Sequence, residues 1–560
     1  MWLKSYEAMK TTLYLLLLAG LPIMGRAQLA AQPGGPYAPA MPRNAGVTPP
    51  ADSTATKPAL FSCVSTLAEG PAFPEPADGI ARMLQLGNGH TLYVHFTEKQ
   101  GVNVQLYDIS RQLQDSTLTG YQATSLDAVF ESAGDATVLV SDRSSRRPLL
   151  MRLRVSGSSG RLLRADTVAY LDKVNLRKRK ITTSSDFLVI KDPYSENYAV
   201  WMYYNSDDPQ NGGYEVVHFG ADHREISRAR FSGSGDDKRF RYWDMAVIGD
   251  KMLCILGMEQ NALYETTSSQ MKLATLDSGN IFFRFRDLGF PEGISIQGGF
   301  IKYNPHRHTL ILLQANLHEE KKMATWLTTV RLDSMIVAGP REIIPSQVNL
   351  KSLELFGPKA PYEGVPQNVI VKKDGSYSII FEELDNFIRP VNGTPVVVST
   401  ILANVAVMDF DAEGKELRSW MIPKKQMNPG VIMKAFYQKN RENATEKLNW
   451  ADQYKFFTYI PGAQRDYIFM NDLGENNERI DRGKLTVMRD ARDAQGFYYA
   501  LEGKAMIPSR DAVFDTATPS PAPIALFAIA DYDADSGTLV TLKRVPEGRK
   551  QVQLVWLNIH

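Results

Sequence analysis

From Gly87 onward, polar turns and apolar strands succeed one another along the chain in a repeating order. GNGHTLYVHF from Gly87, AGDATVLVS from Ala133, IGDKMLCIL from Ile248, NPHRHTLILL from Asn304 and KDGSYSIIF from Lys373 each place a polar turn before a short apolar strand. A second set places the strand first and the turn after it: VQLYDISRQL from Val104, VVHFGADHREI from Val216, TTVRLDSMIV from Thr328 and VAVMDFDAEGKEL from Val405. Short runs rich in Val, Ile, Leu, Phe and Tyr, closely bounded by Gly, Asn and Asp, predict β-strands joined by tight turns. The unit returns every ~45–80 residues, the length of a four-stranded sheet or somewhat more. Such a sheet cannot bury both its faces alone, but sheets stacked radially cover one another.

This ordered series resembles the β-propeller superfamily in general, over residues 58–560. The chain carries no recurrent Trp-Asp pair, kelch double glycine or Ser-x-Asp-x-Gly box, so no characterised family's active residues transfer to it. The expected fold is all-β, a single propeller of seven or eight four-stranded blades, eight preferred, with packed β-sandwiches as the runner-up. The last repeat, from Ile524, shows three strands. PALFSCVSTL from Pro58 supplies a fourth and would close the ring with both chain ends. The best helix candidate is AFYQKNRENATEKLNWADQYKFF from Ala435, expected as an insertion near 435–457.

The N-terminus breaks the pattern. Lys4 and Lys10 precede the apolar run Leu13–Leu21, and small residues Gly25 and Ala27 sit where a signal peptidase expects them. Residues 1–27 therefore read as a cleaved export signal, and the Pro/Ala/Thr-rich residues 28–57 as a disordered linker. The protein is expected to be secreted or periplasmic. No other run is long and apolar enough to span a bilayer. Lys and Arg number 63 against 62 Asp and Glu, so the net charge of +1 draws the chain neither to nucleic acid nor to anionic membranes. The two cysteines, Cys63 and Cys254, exclude a disulfide framework, and Cys254 in KMLCIL reads as a small buried side chain. A monomer is expected.

If the short turns share one face of the disc, the variable loops emerge on the other, where binding usually resides. The segments Glu382–Asn404, Lys191–Gly213 and Asn471–Lys484 read as such loops. Acids close the strands there: Glu98, Asp142, Asp192, Glu259, Glu319, Glu382 and Asp472. A ring of them could hold a cation or a cationic partner. Glu382 with Glu383, or Asp472 with Glu475, offers paired carboxylates, though sequence neighbours do not set the separation that sugar hydrolysis requires.

The stretch DYDADSGTLVTL starts like a calcium loop with Asp531, Asp533 and Asp535. Ser536 and Leu542 stand where an EF-hand has Gly and Glu, so the turn reading prevails and calcium remains the weaker alternative. His306, His308 and His318 lack the further convergent ligand that zinc requires. The basic run LRKRK from Leu176 reads as a solvated strand edge, and DKRFRYWDM from Asp237 as a half-buried strand. No serine-hydrolase elbow, zinc-protease motif, Walker loop or Rossmann fingerprint occurs. The function expected is an exported, non-catalytic binding or scaffold module for a protein or glycan, without a cofactor. The alternative is an extracellular glycan-active hydrolase or lyase using carboxylates of the same face.

Overall fold

Burial along the strands shows how the sheets pack. Asp135–Asp142 is buried on both faces, whereas the last strand of the preceding sheet, Leu113–Leu118, is largely exposed. A strand covered from both sides belongs between neighbouring sheets, and one facing water belongs on the rim. The computed structural model describes residues 63–560 except 122, 145–146, 172–186, 205–212, 232–238, 261–269, 291–294, 318–322, 392–393, 439–445, 449–452, 515–522 and 546–549. The expected leader and linker lie outside the described residues, as do His318, Glu319 and the LRKRK run.

The strands form eight antiparallel sheets with four main strands each. These are the blades of a propeller, each beginning with its innermost strand. Blade 1 starts at Ile80–Gln85, blade 2 at Ser125–Ser132, blade 3 at Phe187–Lys191 and blade 4 at Arg239–Ile248. Blade 5 starts at Ser295–Asn304, blade 6 at Val365–Val371, blade 7 at Thr458–Pro461 and blade 8 at Asp531–Asp533. Blade 8 takes its outermost strand from the other end of the chain: Val64–Glu69 pairs antiparallel with Gln551–Ile559, Val64 opposite Ile559. The eight-bladed reading and closure by the two chain ends are thus both present.

Eight hydrophobic clusters sit between blades, one per junction. Val94, Val104, Leu126 and Val138 join blades 1 and 2, and Ile380, Trp420, Ile468 and Tyr499 join blades 6 and 7. Tyr107 and Trp556 meet edge-on at 5.4 Å across the closing junction of blades 8 and 1, and the Trp556 indole N–H donates to Thr91 Oγ1 at 3.1 Å. An open row of eight blades would have seven such cores. The eighth, between the two ends, closes the ring, and apolar burial supplies the main force holding it.

A helix forms at a position not singled out from the sequence. Ser346–Phe356 forms a helix between blades 5 and 6, seating Val348, Leu355 and Phe356 on their shared core. In 435–457 the described residues make turns and the short strand Glu446–Lys447. Of the aromatic residues there, Phe436 and Tyr454 are buried, and 439–445 and 449–452 lie outside the described residues.

Candidate functional site

Each innermost strand runs from the long-loop face to the turn face, and the second strand returns. The turn face is laced together from blade to blade. Asp531 accepts from Gln85 N–H at 2.8 Å, Glu131 from Gly87 N–H at 3.0 Å and Glu196 from Ala133 N–H at 3.1 Å. Asp192 accepts from Gly249 N–H at 2.8 Å, and Asn304 donates to the Gly375 carbonyl at 2.8 Å. These polar turn residues satisfy backbone groups of the neighbouring blade and tie one blade to the next.

The Asp-rich stretch belongs to this lacing. Besides its bond to Gln85, Asp531 lies 3.8 Å from Arg82. Asp533 accepts from Asp535 N–H at 3.0 Å and from Ser536 Oγ at 2.6 Å, while Gly537 takes the left-handed conformation at φ +67°. Asp535 thus enters through its backbone, as in an Asx turn. Among the described residues no three His, Cys, Asp or Glu side chains gather as a metal site. His308 instead meets the Tyr303 hydroxyl at 3.2 Å.

The long-loop face is partly covered. Between blades 6 and 7 the chain makes an excursion from the ring, described at residues 423–438, 446–448 and 453–457. Gln426–Pro429 pairs with Ser399–Leu402 of blade 6. The Phe436 ring then stacks on Phe300 of blade 5 at 5.9 Å, and Glu446–Lys447 pairs with Ile80–Ala81 of blade 1. Blades 5 and 1 are diametrically opposed in an eight-membered ring, so the excursion reaches both sides of the axis at this mouth.

Beneath it lies Glu382. Its side chain and that of Lys424 are both fully buried, with Nζ 2.5 Å from Oε1 as an ion pair off the line of a hydrogen bond. The Tyr437 hydroxyl donates to Glu382 Oε2, and Gln438 Nε2 donates to that hydroxyl at 2.6 Å. Gln426 accepts from Lys424 at 3.4 Å and donates to the Asn471 carbonyl at 2.7 Å. Two further buried carboxylates border the mouth. Glu75 accepts from Tyr454 at 2.7 Å, Gln453 at 3.0 Å and Arg544 at 3.2 Å. Asp472 accepts from Arg510 at 2.8 Å and Asn476 at 3.0 Å. Burial raises the Asp472 carboxyl above its usual range, although Arg510 pulls the other way.

Of the acids expected on this face, Glu382 and Asp472 thus lie in the polar network of the mouth. Glu383 is anchored at the root of the blade 6 hairpin, accepting from Asn404 at 2.7 Å and Glu363 N–H at 3.1 Å; burial raises its carboxyl against those bonds. Glu259 is buried at the end of its strand. Asp142 caps its own loop by accepting from Ser144 N–H at 2.8 Å, and Glu98 is exposed. Glu475 pairs with Arg479 at 3.1 Å on the surface.

Asp192 is the exception. It lies in the turn between the first two strands of blade 3, on the opposite face, because Tyr198–Tyr204 is a strand rather than part of a long loop. Glu75, Lys424, Tyr437, Arg510 and Arg544 were not legible as site residues. Lys424 sits in an ordinary stretch, MIPKKQMNPG, and nothing local marks it as the partner of Glu382.

The segment Glu382–Asn404 is likewise a continuation of strands. Tyr377–Val391 and Thr394–Phe410 have 15 and 17 residues, and their pairing runs out to Val391 opposite Thr394. Pairing with the innermost strand stops at Glu382 opposite Val365, so the hairpin projects beyond the blade. It carries Phe387 at 58%, Ile388 at 49%, Val396 at 43% and Val398 at 40% exposure. Large apolar side chains grouped in this way are unusual on a free surface.

No protein-family model and no curated protein matches the sequence. Among solved structures, the polysaccharide lyase Uly1 is 10% identical, with a TM-score of 0.37, over 79% of this chain and 93% of that one. The β-propeller domain of the Trilobed protease from Pyrococcus furiosus is 7% identical, with a TM-score of 0.32, over 65% and 98%. The α-L-arabinofuranosidase Arb93A from Fusarium graminearum is 10% identical, with a TM-score of 0.29, over 59% and 96%. Similarity this distant says nothing of activity. The propeller assignment stands on the sheet order and the eight inter-blade cores.

Proposed function

We propose that the protein is a non-catalytic binding module that engages a protein or glycan partner through its long-loop face after export. The observation that carries this reading is the state of Glu382. The carboxylate best placed for acid–base work is fully buried, with its charge matched by Lys424 and the Tyr437 hydroxyl donating to it. A general acid or base must come within hydrogen-bond reach of its substrate. The projecting hairpin of blade 6 meanwhile offers exposed Phe387 and Ile388 to a partner.

A second reading has one observation in its favour. Tyr437, Glu382 and Lys424 form a connected chain of proton-bearing groups at the axial mouth, the kind of set a hydrolase or lyase would use if the excursion withdrew. Turnover separates the two. Purified protein incubated with soluble polysaccharides should release neither reducing ends nor unsaturated products above the level of Glu382→Gln. Product formed by the parent and lost in Glu382→Gln would replace the binding reading with the enzymatic one.

A further inference from the structure

The junction of blades 6 and 7 differs from the laced junctions on the turn face. Its floor is Lys372, whose Nζ lies 3.0 Å from Asp409 Oδ1 in its own blade and 2.8 Å from Asp466 Oδ2 across the gap. Ser378 Oγ donates to Asp409 at 2.6 Å and meets the Tyr459 hydroxyl at 3.1 Å, both in buried positions. Burial opposes the Lys372 charge, but Asp466 and Asp409 outweigh it and hold the ammonium above the usual lysine range.

Above this floor opens a cleft of about 740 Å³, walled by Arg418, Trp420 and Arg465. That falls in the size class of small-ligand sites, roughly 300–1,000 Å³. Arg418 lies 5.0 Å over the Trp420 ring. The same two residues also line a second groove of about 660 Å³ running along the outer strand of blade 6 towards Ser346 and Met506. The two cavities therefore adjoin.

The charges of the cleft select the ligand class. Lys372 is matched by Asp409 and Asp466, Arg418 lies 3.8 Å from Asp409, and Arg465 pairs with Glu502 at 2.6 Å. With its charges balanced, the cleft has no net field to draw an anion or a cation. It does present strong donors beside strong acceptors, and a carboxylate offers about four acceptor sites, more than one ammonium occupies. A hydroxyl group is donor and acceptor at once, so a surface of alternating donors and acceptors suits a polyhydroxylated ligand.

We propose that this cleft binds carbohydrate: a neutral oligosaccharide seated over Lys372 and Asp466 and running past Arg418 into the second groove. The site lies on the face opposite the mouth and stands or falls independently of the function proposed for the long-loop face. With a partner held on each face, the disc would bridge a glycan to a second molecule.

The test uses the full exported chain, with cellohexaose, maltohexaose, laminarihexaose, xylohexaose and mannohexaose as probes and hexagalacturonate as the charged comparison. At least one neutral hexasaccharide should raise the unfolding temperature and titrate in calorimetry. Arg418→Ala, at a half-exposed position, should weaken that binding at least tenfold without disturbing the circular dichroism spectrum. Asp466→Asn, which keeps the shape and removes an acceptor, should do the same. The double variant Phe387→Ser with Ile388→Ser, on the far face, should bind like the parent. The proposal is overturned if no neutral probe binds, if hexagalacturonate binds more tightly, if Arg418→Ala binds unchanged, or if only the far-face variant loses binding.

Discussion

Replacing Lys424 by Met should destabilise the protein by about 3–5 kcal/mol, the range found when one member of a buried ion pair is removed. The structure places this pair at the upper end of what a single contact can matter, because both side chains are fully withdrawn from water. Without the ammonium, Glu382 keeps, among the described residues, the Tyr437 hydroxyl close to its carboxylate. In Glu382→Leu the ammonium keeps, among the described residues, Gln426 Oε1 at 3.4 Å and the Phe457 ring at 5.2 Å, weak partners for a buried charge. The double variant Glu382→Leu with Lys424→Met leaves no unpaired charge, so it should be clearly more stable than the sum of the singles requires. Urea unfolding followed by tryptophan fluorescence, run as a double-mutant cycle, measures this. Singles costing less than about 1 kcal/mol, the level of an exposed pair, would refute the burial argument. Additive singles would refute the coupling.

Three further outcomes are expected. Cys63 is half-buried and Cys254 fully buried, with its thiol pushed far up by burial; native protein should therefore react with a thiol reagent at Cys63 alone, and at both cysteines after unfolding. Burial, reinforced by Arg152 and Arg154, lowers the His223 imidazole to about 4. Between pH 6.5 and about 4 the unfolded chain then binds the extra proton, so stability falls with falling pH across that window, and His223→Gln should remove this component while matching the parent's pH slope above pH 7. Millimolar calcium should leave the unfolding temperature of the parent unchanged; a rise that Asp533→Ala abolishes would restore the calcium reading of the Asp-rich stretch.

Much of the architecture was legible because it is written locally. In Thr91–Thr97 or Thr309–Leu317 the residue types alone favour a buried strand, and the flanking Asn, Asp and Gly set the turns. Blade 3 was harder. DPYSENYAVWMYYNSDD is rich in polar residues and tyrosine and reads as one loop, yet Tyr198 and Val200 pack into the core with blade 2. That misplacement carried Asp192 to the wrong face. The projecting hairpin was missed for a related reason: DNFIRPVNGTPVVVST lacks the clean alternation of a strand with one buried face, because much of it is exposed on both.

By itself the sequence determined that the chain would be all-β, that its repeats would stack radially, and that its last blade would borrow a strand from the first part of the chain. Those features follow from side-chain period, turn chemistry and the count of strands, all of which are local or additive. Only the tertiary structure decided the site. Tyr437 stands 55 positions from Glu382 in the chain, and Asp466 reaches Lys372 from the next blade. Whether a carboxylate is free, paired or sealed from water depends on which distant side chains the ring brings beside it, and residue spacing carries no record of that.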